Sequence, residues 1–544
     1  MPIQVTYPGV YVEELTGGVA AISPVATSIA AFVGRAPVGP VEEPVTVFNY
    51  GDYQRAFGGL SFDYPMSYAV RDFFDHGGSQ AIIVRLFEPV EGDGTARLAF
   101  PDAAGGDSGD PAALLLKAAN PGPWGNTLTA SIDTRGIDED SARPVSGEFG
   151  LEAADLFNLD LTLLDDEGRP IATERFLNLS VKTGGAAGRF PNRIDRLLMG
   201  ASALARVDRL SAVPPGDGAS ARGAGGDTGR GLSAACYLGD RSAKTGMYAL
   251  DKAVMFNLLC IPPDRRILPD VPEREQDLDA SVRQAAASYC AERRAFYIVD
   301  PPAWWSSKAK QGQLAAIHPS DLGIGGEAEA ASAAGRNAAV YFPRIWKADP
   351  LMESHPALFA PCGAVAGVYA ATDLARGVWK APAVQDASLA DVIELEVPLT
   401  DDDNAQLNPL GINCLRQLPI LGPVVWGART LRGGDQWADA YKYVSVRRLT
   451  LLVEESLIRG TQWAIFEPND EALWSSLRLS VGSFLADLSR QGAFYNYNVQ
   501  CDVSTTTADD IERGVVNILV RIAPVKPDEF VVLQIQHPIA AAAG

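Results

Sequence analysis

Histidines, cysteines and clustered carboxylates are the residues from which catalysis could be built here, and none is spaced to act together. The four histidines, His76, His318, His355 and His537, fall into neither an HExxH nor an HxH pattern, so a zinc hydrolase would lack its paired imidazoles. Six cysteines are scattered along the chain without a CxxC pair, and several adjoin apolar residues, as in Leu258-Leu259-Cys260-Ile261. They read as buried free thiols. There is no GxxxxGK[ST] phosphate loop and no GxSxG elbow. Gly223-Ala224-Gly225-Gly226 has no strand before it and no helix after it, which makes it a linker rather than a phosphate cradle. Gly323-Ile324-Gly325-Gly326-Glu327 reads as a turn. Asp401-Asp402-Asp403 could attract a hard cation, but it lacks the spaced oxygens and turn glycine of a calcium loop and reads as a solvated acidic turn. Trp304-Trp305, after Pro301-Pro302, could bind a sugar or a partner, or pack at a domain edge. The 67 acidic residues single out no carboxylate pair for glycoside hydrolysis. The expectation is a protein with no catalytic, cofactor-binding or metal-binding residues.

The chain has 544 residues, which argues for roughly two to four domains. Its composition, 47% apolar and 21% charged, is that of an ordinary globular protein. A net charge of −21 and a pI near 4.7 oppose nucleic-acid binding, which requires a basic stripe. The start, Met1-Pro2-Ile3-Gln4-Val5, has no basic n-region or apolar h-region, and no window approaches 18 apolar residues. No membrane insertion and folding in a cytoplasm are therefore expected.

Along the chain, Gln4–Glu14 is β-prone but interrupted by Pro8-Gly9, which suits an edge strand or arm. Thr27–Gly34 reads as a buried strand. Tyr64–His76 carries Met66, Ala69, Val70, Phe73 and Phe74 on one helical face and ends at Gly77-Gly78. Ala81–Phe87 follows as a strand. The pattern breaks near Glu88, and residues 91–110 and 213–231 are rich in Gly, Asp, Pro and Ser. Between them lie the strand-like runs Ala112–Ala118, Thr127–Ile132, Phe157–Leu163 and Glu174–Leu179. The α/β alternation resumes with strands Ala253–Ile261, Arg294–Asp300 and Asn337–Phe342, and with a helix near Leu278–Arg293. Further on, Arg447–Arg459 and a segment opened by Pro468-Asn469-Asp470-Glu471 read as helices, the second with a cap and acids in its first turn. Gly514–Ala523 and Phe530–Gln536 read as strands.

The reading is α/β within a multidomain α+β chain. It comprises an N-terminal arm at 1–26, a discontinuous middle α/β domain at 27–87 plus 236–400, and a β-rich outer insert at 88–235. A C-terminal inner α/β domain at 401–526 and an arm strand at 527–544 complete it.

The two ends of the chain resemble the tail sheath family of contractile bacteriophages, R-type bacteriocins and extracellular contractile injection systems. At the front the resemblance lies in Tyr7-Pro8-Gly9-Val10-Tyr11-Val12-Glu13-Glu14, then Thr27–Gly34 and Phe57-Gly58-Gly59. In the insert it lies in Asn120-Pro121-Gly122-Pro123-Trp124-Gly125-Asn126. At the back it runs through Trp426-Gly427-Ala428-Arg429, Tyr443-Val444-Ser445-Val446-Arg447-Arg448-Leu449 and Glu454-Glu455-Ser456. It continues through Arg459-Gly460-Thr461-Gln462-Trp463, Phe466-Glu467-Pro468-Asn469-Asp470, Cys501-Asp502, Thr505-Thr506-Thr507 and Ala523-Pro524-Val525-Lys526-Pro527.

That resemblance implies a non-enzymatic subunit of hexameric rings stacked helically around an inner tube, with baseplate and cap or terminator proteins as further partners. Contraction from a metastable extended state would drive the tube through a target envelope, after assembly in a bacterial cytoplasm. It also implies that terminal arms add strands to a neighbour's sheet, and Val5, Tyr7, Val10, Tyr11, Val12 and Phe530, Val531, Val532, Leu533, Ile535 are the residues expected to do so. Trp124, Arg429, Arg447, Arg448, Glu454, Glu455, Trp463, Pro468 and Asn469 are expected to be structural. The alternatives are another tail or baseplate subunit, or a tail-associated envelope hydrolase.

Overall fold

A computed structural model describes residues 21–100, 114–165, 167–266, 277–324, 329–382 and 387–527. Its centre is an eight-stranded sheet. In spatial order the strands are Gly422–Val425, Ile412–Leu418, Ala338–Phe342, Phe296–Val299, Leu258–Cys260, Ala30–Gly34, Ala81–Arg85 and Val45–Val47. The inner six run parallel, and an antiparallel strand closes each edge.

Parallel strands covered on both faces need apolar side chains at every position, which is why the runs AAFVG, AIIVR and AAVYF do not alternate in polarity. Successive residues still point to opposite faces. Phe32, Ile83, Cys260, Ile298 and Tyr341 enter one core, while Val33, Val84, Leu259, Val299 and Phe342 enter the other. On the first face, helices Pro65–Asp75 and Cys362–Arg376 pack closely together. The crossing depends on Gly363, where an added Cβ would lie 2.1 Å from the Ala69 carbonyl oxygen. Helix Ala280–Glu292, held at its start by the Asp279 cap, lies on the second face.

The chain leaves the sheet at Arg85 and rejoins it at Leu258. Between these points two antiparallel sheets face each other. One has the order Ser220–Arg222, Leu128–Asp133, Phe157–Leu164, Pro170–Leu179, and the other is Arg97–Ala99, Leu115–Ala118, Ala205–Arg209. Leu98, Leu116, Leu128, Phe157, Leu159, Ile194 and Leu198 fill the space between them. A separate three-stranded sheet is formed by Ile345–Asp349, His355–Phe359 and Val392–Leu395.

The C-terminal block has two long helices, Val444–Gly460 and Glu471–Arg490, and an antiparallel ribbon of Phe494–Gln500 with Leu519–Pro524. The central sheet runs on past residue 400, the expected start of this block, because Ile412–Leu418 pairs with Ala338–Phe342. The acidic run Asp401-Asp402-Asp403 is the first turn of helix Asp401–Leu407 rather than a turn by itself. Thr400 caps that helix, and the Asp403 carboxylate accepts a hydrogen bond from the Thr400 amide. The expected strand Gly514–Ala523 begins only at Leu519, since Val516 and Ile518 pack into a small core instead.

Candidate functional site

The candidate site is an open-edged strand ribbon together with the side-chain latches that hold it. Ribbon strands Phe494–Gln500 and Leu519–Pro524 pair with each other and, among the described residues, with no other strand. Both outer edges therefore carry unpaired backbone donors and acceptors. One face of the ribbon packs Phe494, Val499, Val520 and Ile522 against Val481, Phe484, Leu485 and Leu488 of the second helix. An isolated two-stranded ribbon is only marginally stable in water, so this helical backing is what maintains it.

The chain also enters at this block. Ile22 is buried in the same apolar cluster, and the Val25 amide donates to Ser456 Oγ at 3.1 Å. Residues 1–20 and 528–544, which contain the expected arm positions Val5, Tyr7, Val10, Tyr11, Val12 and Phe530, Val531, Val532, Leu533, Ile535, lie outside the described residues.

The remaining expected residues tie the block to the sheet. Arg448 is buried and binds Asp373 bidentately, at 2.9 Å from Nη1 to Oδ1 and 2.5 Å from Nη2 to Oδ2. Its Nη2 also donates to the Thr27 carbonyl at 2.9 Å. A single guanidinium thus joins the first C-terminal helix, the Cys362–Arg376 helix and the entering chain. Burial pushes the Asp373 carboxyl above its ordinary range, and the Arg448 charge and hydrogen bonds offset only part of that.

Arg447 Nε donates to Asn337 Oδ1 at 3.0 Å, beside the start of strand Ala338–Phe342, and Nη1 pairs with Glu454 at 3.3 Å. Glu455 accepts from Arg294 Nε at 2.7 Å and Arg459 Nε at 2.6 Å. Burial acts to raise the Glu455 carboxyl, but the two arginines outweigh it and hold the group below its usual range.

Arg429, 1% exposed, donates to the Asn408 and Gly433 carbonyls and to Asp435. Asn469 bonds the Val515 carbonyl and receives the Trp474 indole N–H at 2.8 Å. Trp463 packs with Leu473, Trp474 and Leu477, and Pro468 is exposed between them in sequence.

In the insert, half-buried Trp124 belongs to the core, and its neighbour Asn126 clamps Gly226 through both amide atoms at 2.8 and 2.9 Å. Sequence reasoning missed the partners Asp373 and Arg294. Asp373 carries the one available signal, an acid in the otherwise apolar run Cys362–Ala371 and its continuation.

In doubly wound sheets, ligands bind beyond the carboxyl ends of the parallel strands. Here the part of that region beyond Ala30–Gly34 and Ala81–Arg85 holds the chain's own groups. Arg85 donates to the Ala36, Gly39 and Pro121 carbonyls, and Arg35 to the Thr228 carbonyl, so both fasten the insert to the sheet. Among the described residues no group of three His, Cys, Asp or Glu side chains is placed to hold a metal, and no helix is long and apolar enough to cross a membrane. Burial raises the thiols of Cys290 and Cys362 well above their ordinary value, away from the reactive thiolate. Trp304 and Trp305 sit in helix Ala303–Lys310, where Trp305 is fully buried against Phe342.

This arrangement of a doubly covered sheet, an antiparallel insert and a helix-backed terminal ribbon is similar in fold to solved contractile sheath proteins. The contracted helical sheath of the anti-feeding prophage superimposes with a TM-score of 0.52 at 22% identity, over 98% of this chain and 99% of that one. The sheath tail protein of Listeria innocua does so with a TM-score of 0.56 at 12% identity, over 92% and 96%.

In sequence, residues 438–537 match the family model of the phage tail sheath C-terminal domain. The tail sheath protein of Vibrio phage KVP40 is 28% identical over 172 residues, 31% of this chain and 25% of that protein. That of Enterobacteria phage T4 is 25% identical over 181 residues, 33% and 27%. The matched segment thus spans about a quarter of these relatives' own length.

Proposed function

We propose that this chain is the sheath subunit of a contractile tail or injection particle, working as a non-enzymatic structural protein. The observation that carries the reading is the ribbon with two open edges, built inside the segment that matches the sheath C-terminal domain. Strand addition by a neighbour's arms would satisfy both edges, and a hydrogen-bonded strand with a free hinge lets subunits rotate without separating. Residues 5–12 and 530–536 are the arms in this reading.

The subunits form hexameric rings stacked helically around an inner tube, with baseplate and terminator proteins at the ends, after assembly in a bacterial cytoplasm. The C-terminal block lies toward the tube and the insert toward the outside. Of the two C-terminal helices, Val444–Gly460 is the more enclosed, and Glu471–Arg490 keeps Ser475, Ser476 and Leu479 exposed for a neighbour.

Negative-stain microscopy of the purified chain should show striated hollow cylinders. Deleting residues 1–14 should leave a folded subunit that makes none, and normal cylinders from that deletion would overturn the arm assignment.

A further inference from the structure

The turn between the two C-terminal helices exposes an apolar side chain that packs in no core cluster among the described residues. Phe466 is fully exposed, and the adjacent Ile465 is 61% exposed. Phe466 also has φ of +73°, a left-handed conformation that costs a bulky residue energy and is retained where the surroundings impose it. The surroundings do so here: the Ile465 amide bonds the Gln462 carbonyl and the Glu467 amide bonds the Ala464 carbonyl, so the turn is pinned. Beside the ring, Glu467 is exposed and has no ion-pair partner among the described residues. The outward face is thus a phenyl ring next to a free carboxylate.

A cleft with the complementary chemistry lies at the carboxyl end of the central sheet. Phe62, Tyr68, Pro262, Pro263 and Phe359 line it. Arg265 stands exposed at its rim without an ion-pair partner among the described residues. Arg266 lies in its wall, 4.2 Å from the Phe62 ring centroid and 5.3 Å from that of Phe359, and binds Asp349 through Nη2. Its Nη1 is buried with no hydrogen-bond partner. With aromatic walls and the free Arg265 guanidinium at its rim, the cleft suits an occupant that has both an apolar group and an anionic acceptor.

We propose that the Phe466-Glu467 tip of one subunit docks in this aromatic, arginine-rimmed cleft of a second copy, the ring against Phe62 and Phe359 and the carboxylate on exposed Arg265. Knob and cleft are different patches of one surface, so the contact is head-to-tail and builds a ring or a helix instead of a two-fold dimer. The contact rests on the sheath reading and supplies it with an interface independent of the arms.

The test uses the full-length chain in a sedimentation assay of cylinder formation, with microscopy of the pellets. Phe466→Ser should raise the critical concentration roughly ten- to thirty-fold, as truncation of a central aromatic anchor does. Glu467→Lys and Arg265→Glu should each weaken assembly, and the two together should restore it. In assembled cylinders, Phe466→Cys combined with Phe62→Cys should give inter-subunit species with a short bis-maleimide, and neither single variant should. An unaltered critical concentration for Phe466→Ser, or cross-links confined to one chain, overturns the contact while leaving wild-type cylinders and the sheath reading intact. A wild-type chain that forms no cylinders overturns both.

Discussion

Replacing Arg448 with methionine removes the charge from the most enclosed joint between the C-terminal block and the sheet. In the native chain the Arg448 and Asp373 side chains are each 4% exposed, and the pair makes two direct bonds plus one to the Thr27 carbonyl. Methionine retains the apolar stem but leaves a buried carboxylate without its partner. Breaking a buried pair in this way costs about 3–5 kcal/mol, and the lost bond to Thr27 adds about 1 kcal/mol, so a loss of about 5 kcal/mol is expected.

Arg448→Met with Asp373→Leu should recover most of that loss, because a buried ion pair contributes little net stability over apolar packing. Asp373 already has its carboxyl raised by burial, so its ionisation opposes folding as pH rises above the unfolded value, and the variant raises it further. The Arg448→Met defect should therefore be larger at pH 8 than at pH 5. Urea unfolding followed by tryptophan fluorescence, which reports on Trp463 and Trp474 of the block, measures each quantity. A loss below about 1 kcal/mol, or a defect independent of pH, would refute the idea that water is excluded from this joint.

Other expectations follow from single sites. Burial raises the Asp300 carboxyl to about 6, so Asp300→Asn, which keeps an acceptor for the Cys362 amide, should stabilise the chain by about 3 kcal/mol at pH 8 and progressively less toward pH 4, read by urea midpoints. Gly223→Ala would place a methyl 1.9 Å from the Gly125 carbonyl oxygen, so the insert should become protease-sensitive between residues 213 and 231 while the C-terminal tryptophan signal persists. If charges that meet across subunits bias the extended against the contracted state, the extent of contraction in microscopy should change between 50 mM and 500 mM salt, and an invariant response would count against that bias.

The sequence was most informative where one physical rule acts alone. The helix expected at Tyr64–His76 is Pro65–Asp75, because its apolar spacing and the following glycines admit no other structure. Ala81–Phe87 and Asn337–Phe342 shorten by only one or two residues. Ala253–Ile261 shrinks to Leu258–Cys260, since Val254 points into solvent and only the last residues reach the sheet. Strand Phe494–Gln500 was hidden by its polar composition, FYNYNVQ, which suits a ribbon backed on one side and open at its edge. Helix Glu139–Phe149 was masked by Pro144 in its interior. The latch arginines were legible as family motifs, whereas Asp373 and Arg294 were not, because pairs 75 and 161 residues apart leave no local pattern.

The interruption of the central sheet also has a consequence in time. Ala30–Gly34 and Ala81–Arg85 leave the ribosome about 170 residues before Leu258–Cys260, the strand that covers the other side of Ala30–Gly34. At bacterial elongation rates of roughly 5–20 residues per second that is a wait of about 10–35 seconds, during which the insert can fold on its own. A nascent chain therefore carries a bare parallel edge until it is about half made, and the finished sheet arises only when the second half arrives. Synthesis itself thereby delays completion of the sheet and of the ribbon, the last of the described elements to emerge, to the second half of translation.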